Sequence, residues 1–464
     1  MQLEAADIVT EYAKAVGAGS AAVFIGAGLS VRAGFPNWTG LIGPASLLAN
    51  VPDEVKDEPL RAEYIIDEQN REWLNNEMLK ELDVDAIPSE AHLVLGRIPI
   101  NEYWTTNYDS LMEQTLDVLK RPYKRIVRDN DYTSEDGPAG QKRLTKMHGS
   151  LAPQIKGKKI FWESNPVISR SDFEGYEVDH PLIWAQLRAQ YLTSSFLFLG
   201  LSFDDPNLGV LLRLARSLPS GMATPSHFAV LKDKAGPTAS RLQALRIADL
   251  EKSGIQVHLV NKHEDLDDIL ARLEVRCREA NLFVAGGSLD SKALQVMDAV
   301  GTNLASVDRR LALLSFGGDA ALAVGREFRA AMQSDEYRPE RIKFYFRKSL
   351  MSLEIKHRVG MAVFTDLDLP EMREEVLPTI RCMIVAGGGA RTAEEVHLAL
   401  DRGASIVPIA ATGGTAEEVW KNYTPEELRL AGPDVERLWS RLNGRQSANI
   451  ADAAVKLVNQ SMFG

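Results

Sequence analysis

The stretch Ala21–Ser30 reads AAVFIGAGLS. An unbroken apolar run gives way to Gly26, Ala27 and Gly28, and Ser30 follows. A short apolar run bounded by glycine suits a strand buried on both faces. Glycines at its end permit positive φ and let backbone N–H groups approach a pyrophosphate, and a helix starting beyond them favours negative charge. Alone, a strand followed by Gly-x-Gly is a weak signal, because many such loops are only tight turns.

Working outward, the same pattern returns. EAADIVTEYAKAVGAG (4–19) has helical spacing and ends in glycines, where helices commonly stop. NEYWTT (101–106), LTKMHG (144–149), SFLFLGLSF (195–203), HFAVLK (227–232) and IQVHLV (255–260) read as strands. Charged amphipathic segments such as DDILARLEVRCREA (267–280) lie between many of them. Strands alternating with helical patterns predict a parallel α/β sheet.

Near Asn281 the series restarts with NLFVAGGS (281–288), LALLSFGG (311–318), RIKFYFR (341–347), RCMIVAGGGA (381–390) and SIVPIAATGG (405–414). SANIADAAVKLVNQSMF (447–463) reads as a closing helix. The expected fold class is therefore α/β, with two Rossmann-like parallel-sheet domains, residues 1–280 and 281–464.

Composition narrows the function. The 464 residues are 45% hydrophobic and 25% charged, as in an ordinary globular protein. A net charge of −11 argues against a general nucleic-acid surface, which needs clustered Lys and Arg. Cys277 and Cys382 are the only cysteines and lack CxxC spacing, so a four-cysteine zinc site is impossible and no metal is expected. The first residues carry acids and lack the apolar core of a secretory signal, and runs such as FLFLGL are too short to span a bilayer. A cytoplasmic location without membrane or nucleic-acid partners is the default expectation.

Polar strand ends then point to a site. WTTNYD (104–109), KMHGS (146–150) and GLSFDDPNL (200–208) all end apolar runs. Ligands of open α/β sheets bind outside the carboxyl ends of the strands, so these segments are expected to converge on one crevice. Asn107 and Asp109 either form a simple Asx turn or hold a substrate. His148 is either a satisfied strand-end histidine or a base working near neutral pH. Trp38 either packs the core or covers a pocket, and Asp204 and Asp205 before Pro206 read as a helix cap.

GAGLS (26–30), AGFPNW (33–38), TTNYD (105–109), HG (148–149) and GLSF (200–203) together resemble the sirtuin (SIR2) family of NAD-consuming enzymes. The resemblance implies NAD as substrate, its pyrophosphate over Gly26, Ala27, Gly28 and Ser30. It sets Gly200, Ser202 and Asn261 near the adenosine half and Trp38 by the nicotinamide. It implies that Asp109 holds the carboxamide, Asn107 orients water or ribose, and His148 accepts a proton. Two departures, the missing zinc cysteines and the sequence Asn37-Trp38-Thr39, set the chain apart from the family's deacylases.

The second half is similar to the SLOG group of nucleotide sensors through VAGGS (284–288), SFGGDAAL (315–322), KFYFR (343–347) and AGGGARTAEEVHLAL (386–400). That likeness implies an effector pocket of Gly286, Gly287, Ser288, Gly317, Gly318, Gly388 and Glu395, closed by Thr412 and Gly413. Arg347 is the best candidate for a phosphate grip, with Arg326, Arg373 and Arg391 as rivals. Glu394 and Glu395 also suit a helix N-terminus without any ligand.

A SIR2 half followed by a SLOG half resembles the effectors of Thoeris antiphage defence. The resemblance implies an NAD glycohydrolase switched on by a cyclic ADP-ribose isomer, which a TIR-domain partner protein makes. It also implies homotetramers able to stack into filaments, and NAD depletion in abortive infection. The alternatives are a non-catalytic nucleotide-binding regulator and a zinc-free NAD-dependent protein deacylase.

Overall fold

The computed structural model describes residues 4–133, 141–152, 159–203, 205–216, 224–333, 336–350 and 359–463. Its contacts divide the chain into two units, Met1–Cys277 and Arg278–Gly464. The division falls slightly before the expected one after Ala280. The helix His263–Cys277 packs on the helix Ala5–Gly17 and so belongs to the first unit.

Among the described residues the first unit holds one seven-stranded sheet. Its strands are β1 (Ala21–Ile25), β2 (Glu102–Thr105), β3 (Tyr123–Ile126), β4 (Lys142–Lys146), β5 (Ser195–Leu199), β6 (His227–Lys232) and β7 (Ile255–Val260). They lie in the order β3-β4-β2-β1-β5-β6-β7, and every pairing is parallel. β1 is completely buried, as its apolar run requires. Alternate residues feed opposite faces. Val23, Ile25 and Tyr103 join one core, while Ala22, Phe24 and Trp104 join the other. The chain leaves β1 toward β2 and later returns to its other side as β5, so β1 and β5 flank the switch point where such sheets bind ligands.

Between β1 and β2 the helices Trp38–Leu48, Glu58–Glu68 and Arg71–Leu82 build a separate apolar layer around Ile42, Ile65, Leu74 and Met78. Tyr108 and Leu151, from the loops after β2 and β4, insert into it.

The second unit holds a six-stranded parallel sheet. Its strands are β8 (Asn281–Gly286), β9 (Ala312–Ser315), β10 (Ile342–Arg347), β11 (Met361–Thr365), β12 (Cys382–Ala386) and β13 (Ser405–Pro408), in the order β11-β10-β9-β8-β12-β13. The switch point lies between β8 and β12. The helix Ser447–Phe463 closes the core through Ile450, Ala454, Leu457 and Val458.

Both α/β sheets agree with the sequence expectation. Two edge strands, β3 and β11, had no counterpart in it. β3 reads YKRI and buries only Ile126, while β11 is half-exposed throughout. An edge strand pairs on one side only and needs no continuous apolar run. No helix among the described residues is long and apolar enough to cross a membrane.

Candidate active site

Thr105 organises the end of β2. Its hydroxyl donates to the Ile25 carbonyl at 2.9 Å and accepts from the Asn107 N–H at 3.0 Å. The turn points the Asn107 amide across β1, where Nδ2 donates to the Gly26 carbonyl at 3.1 Å and to Ser30 Oγ at 2.9 Å. The same amide's Oδ1 is buried and has no hydrogen-bond partner among the described residues. Asp109 behaves differently. Its Oδ1 accepts from Leu111 N at 3.0 Å, an Asx turn that opens the helix Leu111–Val118. Ser30, His92, Asn107, Asp109 and Glu113 line a small cleft beside β1 and β2.

Lys146 of β4 pairs in register with Thr105 of β2, so His148 and Asn107 each follow by two residues at neighbouring strand ends. The two loops are stitched together: Leu151 N donates to the Tyr108 carbonyl, and Tyr108 Oη donates to that of Val167. Val167 N in turn donates to the His148 carbonyl. Gly149 adopts φ +92°, and a Cβ there would lie 2.9 Å from the Asn165 carbonyl, so the residue after His148 is held to glycine.

His148 is 1% exposed. Its ring meets Phe173 edge-on at 5.2 Å, and Phe173 lies 6.1 Å from the Trp38 ring. Burial lowers the imidazole pKa, and the Asp205 carboxylate, 3.3 Å from Nε2, partly opposes that shift. Nε2 nevertheless has no hydrogen-bond partner among the described residues. Asp205 also caps the helix Pro206–Arg216 by accepting from Leu208 N at 3.4 Å. Asp204 lies outside the described residues. Trp38 is half-buried at the start of its helix, and its Nε1 is buried without a hydrogen-bond partner among the described residues.

The glycine turn is built differently from an open phosphate cradle. Gly26 N donates to the Leu199 carbonyl and Gly28 N to that of Gly200, both at 2.9 Å. Leu29 N returns to the Gly26 carbonyl. These donors join the turn after β1 to the turn after β5. A Cβ on Gly200 would lie 2.5 Å from Leu29 N, and one on Gly28 would lie 2.9 Å from Gly200 Cα. The glycines therefore serve backbone-to-backbone packing at the switch point. Ala27 is half-buried, and Gly28 and Ser202 are exposed beside it. Asn261 lies apart, exposed after the far edge strand β7, with its N–H donating to Asp265.

In the second unit the loops after β8, β12 and β13 interlock. Gly387 N donates to Thr412 Oγ1 at 2.8 Å, and Thr415 N and Ala416 N donate to the carbonyls of Gly388 and Gly387. A Cβ on Gly286 would lie 2.2 Å from the Ala386 carbonyl, and one on Gly287 would meet Gly388 Cα at 3.4 Å. Gly317, Gly318 and Gly413 all take positive φ, and Ser288 is exposed nearby in sequence. Arg347 is exposed at the end of β10, one strand beyond β9. Glu395 is buried and faces Arg373 at 3.3 Å, while Glu394 meets the same guanidinium at 2.6 Å. Arg326 pairs with Asp298 and Glu327 on the helices, and Arg391 is exposed.

Residues 101–258, which carry both stitched loops, match the SIR2-like domain family. Three proteins named NAD(+) hydrolase ThsA are each 25% identical to this chain. The match covers 89% of this chain and 87% of the protein from Cytobacillus dafuensis, and 95% and 94% for Acinetobacter baumannii (strain 532279). For Bacillus cereus (strain MSX-D12) the shares are 97% and 96%. The chain is similar to these proteins along nearly its whole length.

Sequence reasoning missed several residues at the site. His92 lines the cleft from the helix Glu90–Arg97, with Nδ1 2.8 Å from Ser89 Oγ. Phe173 links Trp38 to His148, and Asp205 faces His148 besides capping its helix. The spacing of GLSFDDPNL signalled only the cap, because the partner imidazole comes from another strand.

Proposed function

We propose that the chain is an NAD(+) hydrolase that cleaves the nicotinamide–ribose bond between the loops after β2 and β4. One observation carries the reading. Asn107 Oδ1 and His148 Nε2, at adjacent strand ends, are both buried polar atoms without a hydrogen-bond partner among the described residues, although Nε2 faces the Asp205 carboxylate at 3.3 Å. Leaving such a group unsatisfied costs about 1–3 kcal/mol, so a folded protein retains few of them without use. The near full-length likeness to NAD(+) hydrolases supports the same conclusion.

Departure of nicotinamide builds positive charge on the ribose, as in other glycosyl cleavages. Nicotinamide leaves neutral with the bonding electron pair, and water adds to the ribose carbon. Asn107 Oδ1 accepts from the incoming water or a ribose hydroxyl, while Nδ2 stays fixed on Gly26 and Ser30. His148, kept neutral by burial, takes the water's proton. In this reading Asp109 and Ser30, which border the cleft, receive the carboxamide.

In the same reading the second unit is a SLOG-like sensor for a cyclic ADP-ribose-type signal made by a TIR-domain partner. The signal binds at the interlocked glycine loops, and a homo-oligomer transmits it. A ligand activates only if it binds the active arrangement more tightly, and a tenfold preference corresponds to about 1.4 kcal/mol. Resulting NAD depletion would serve antiphage defence.

Purified wild type, Asn107→Ala and His148→Ala are to be incubated with NAD, with and without cyclic ADP-ribose isomers. Nicotinamide release by wild type and loss of at least about 100-fold in both folded variants are expected. Equal release by all three would refute the site. A rate indifferent to every isomer would refute the switch.

A further inference from the structure

Beneath the proposed site lies a cation that the chemistry described above does not use. Lys146 is 0% exposed, at the last position of β4. Its ammonium donates to the Tyr108 carbonyl at 3.3 Å, to the Asp109 carbonyl, and to Glu113 Oε1 at 3.0 Å. Three donors thus meet three acceptors, and two of these acceptors are backbone carbonyls of the loop that carries Asn107 and Asp109. Glu113 sits one turn into the helix that the same loop opens. Its carboxylate is also 3.8 Å from Arg125, whose guanidinium donates to Ser150 Oγ at 3.2 Å and pairs with Glu163.

We infer that Lys146, held by Glu113, is a positioning residue that sets the loop Asn107–Asp109 against the loop of His148. The inference rests on the hydrolase reading of that site. Carbonyls 108 and 109 lie beyond the end of β2 at Thr105, so the strand ladder does not hold them, and besides Lys146 carbonyl 108 accepts from Leu151 N. A buried ion pair adds little stability compared with apolar residues of the same size. What this pair supplies is a fixed point within the core for two loops whose polar groups must meet one substrate. Displacement of about 1 Å at such a site costs on the order of 100-fold in rate.

The test measures kcat and KM for NAD cleavage in Lys146→Met, in Lys146→Met/Glu113→Leu, and in each combined with Asn107→Ala. The apolar pair leaves no orphan charge and keeps the protein folded if Lys146→Met alone does not. Expected is a 10- to 100-fold fall in kcat with KM within about threefold, with the urea midpoint of the apolar pair close to that of wild type. Adding either change to Asn107→Ala should cause no further loss, since both act on one amide. Wild-type kcat in a folded Lys146→Met or Met/Leu protein overturns the inference. If Asn107→Ala alone cleaves NAD normally, the hydrolase site fails and the positioning role fails with it.

Discussion

The imidazole of His148 faces the carboxylate of Asp205 at 3.3 Å, linking the end of β4 to the first turn of the helix after β5. Burial lowers the imidazole pKa below its ordinary 6.5, and Asp205 raises it part of the way back. The neutral ring is therefore the resting form at neutral pH, as a proton acceptor must be.

Asp205→Asn should move the acid limb of the pH–rate profile. Asparagine still caps the helix, so the fold is retained. Removing the carboxylate removes the one influence that favours protonation most, so His148 charges only at lower pH. The limb of kcat/KM for nicotinamide release, followed between about pH 4.5 and 8, should shift downward. An upward shift would contradict the assignment of His148 as base.

The interlocked turns make Gly200 the least replaceable glycine of the first sheet. Gly200→Ala combines φ +67° with a Cβ 2.5 Å from Leu29 N, and about 2 kcal/mol or more of stability should be lost. Gly17→Ala, at the exposed end of the helix Ala5–Gly17 with open space around it, should be neutral or stabilise by up to about 1 kcal/mol. Urea midpoints followed by tryptophan fluorescence distinguish the two. Equal midpoints would mean that the turns are not packed backbone to backbone.

Acid should weaken the first unit through its buried histidines, His92 and His227 together with His148. Burial lowers His92 and His227 to about 4. As pH falls below 6.5 the unfolded chain takes up protons that the folded one refuses, so stability drops until about pH 4 and then levels. Each group accounts for about 3 kcal/mol at most across that window. His227 stacks on Tyr191 at 4.1 Å and accepts from Phe196 N. His227→Asn retains an acceptor and should remove roughly a third of the pH dependence, read from urea midpoints at pH 7.5 and 5.

In the second unit, Arg373→Met should strand the buried Glu395 carboxylate. About 3 kcal/mol of stability is expected to be lost, and Arg373→Met/Glu395→Leu should recover most of it, because the apolar pair leaves no uncompensated charge. Calorimetry of the full chain provides the measurement. A double variant as unstable as the single one would mean that the pair does more than satisfy itself.

Particular residues show how much was legible in the chain. AAVFI announced β1 because a strand buried on both faces needs no polar alternation, whereas YKRI concealed β3 because an edge strand buries little. WTTNYD marked a polar strand end, yet Asn107 and Asp109 part company within it. One side chain crosses to Ser30, while the other closes its own turn. The glycines of GAG suggested free N–H donors, and at Gly26 and Gly28 the structure engages them with the turn after β5.

The order of apolar runs and their glycine ends by itself determined two parallel sheets, and two cysteines by themselves ruled out a four-cysteine zinc ribbon. These are local properties, because burial and backbone freedom act on each residue where it stands. Only the tertiary structure decided that Lys146 meets Glu113 and that Asp205 meets His148. Side-chain periodicity reports which face of an element is buried. It carries no record of which charge from a distant strand will stand opposite once the strands are ordered side by side.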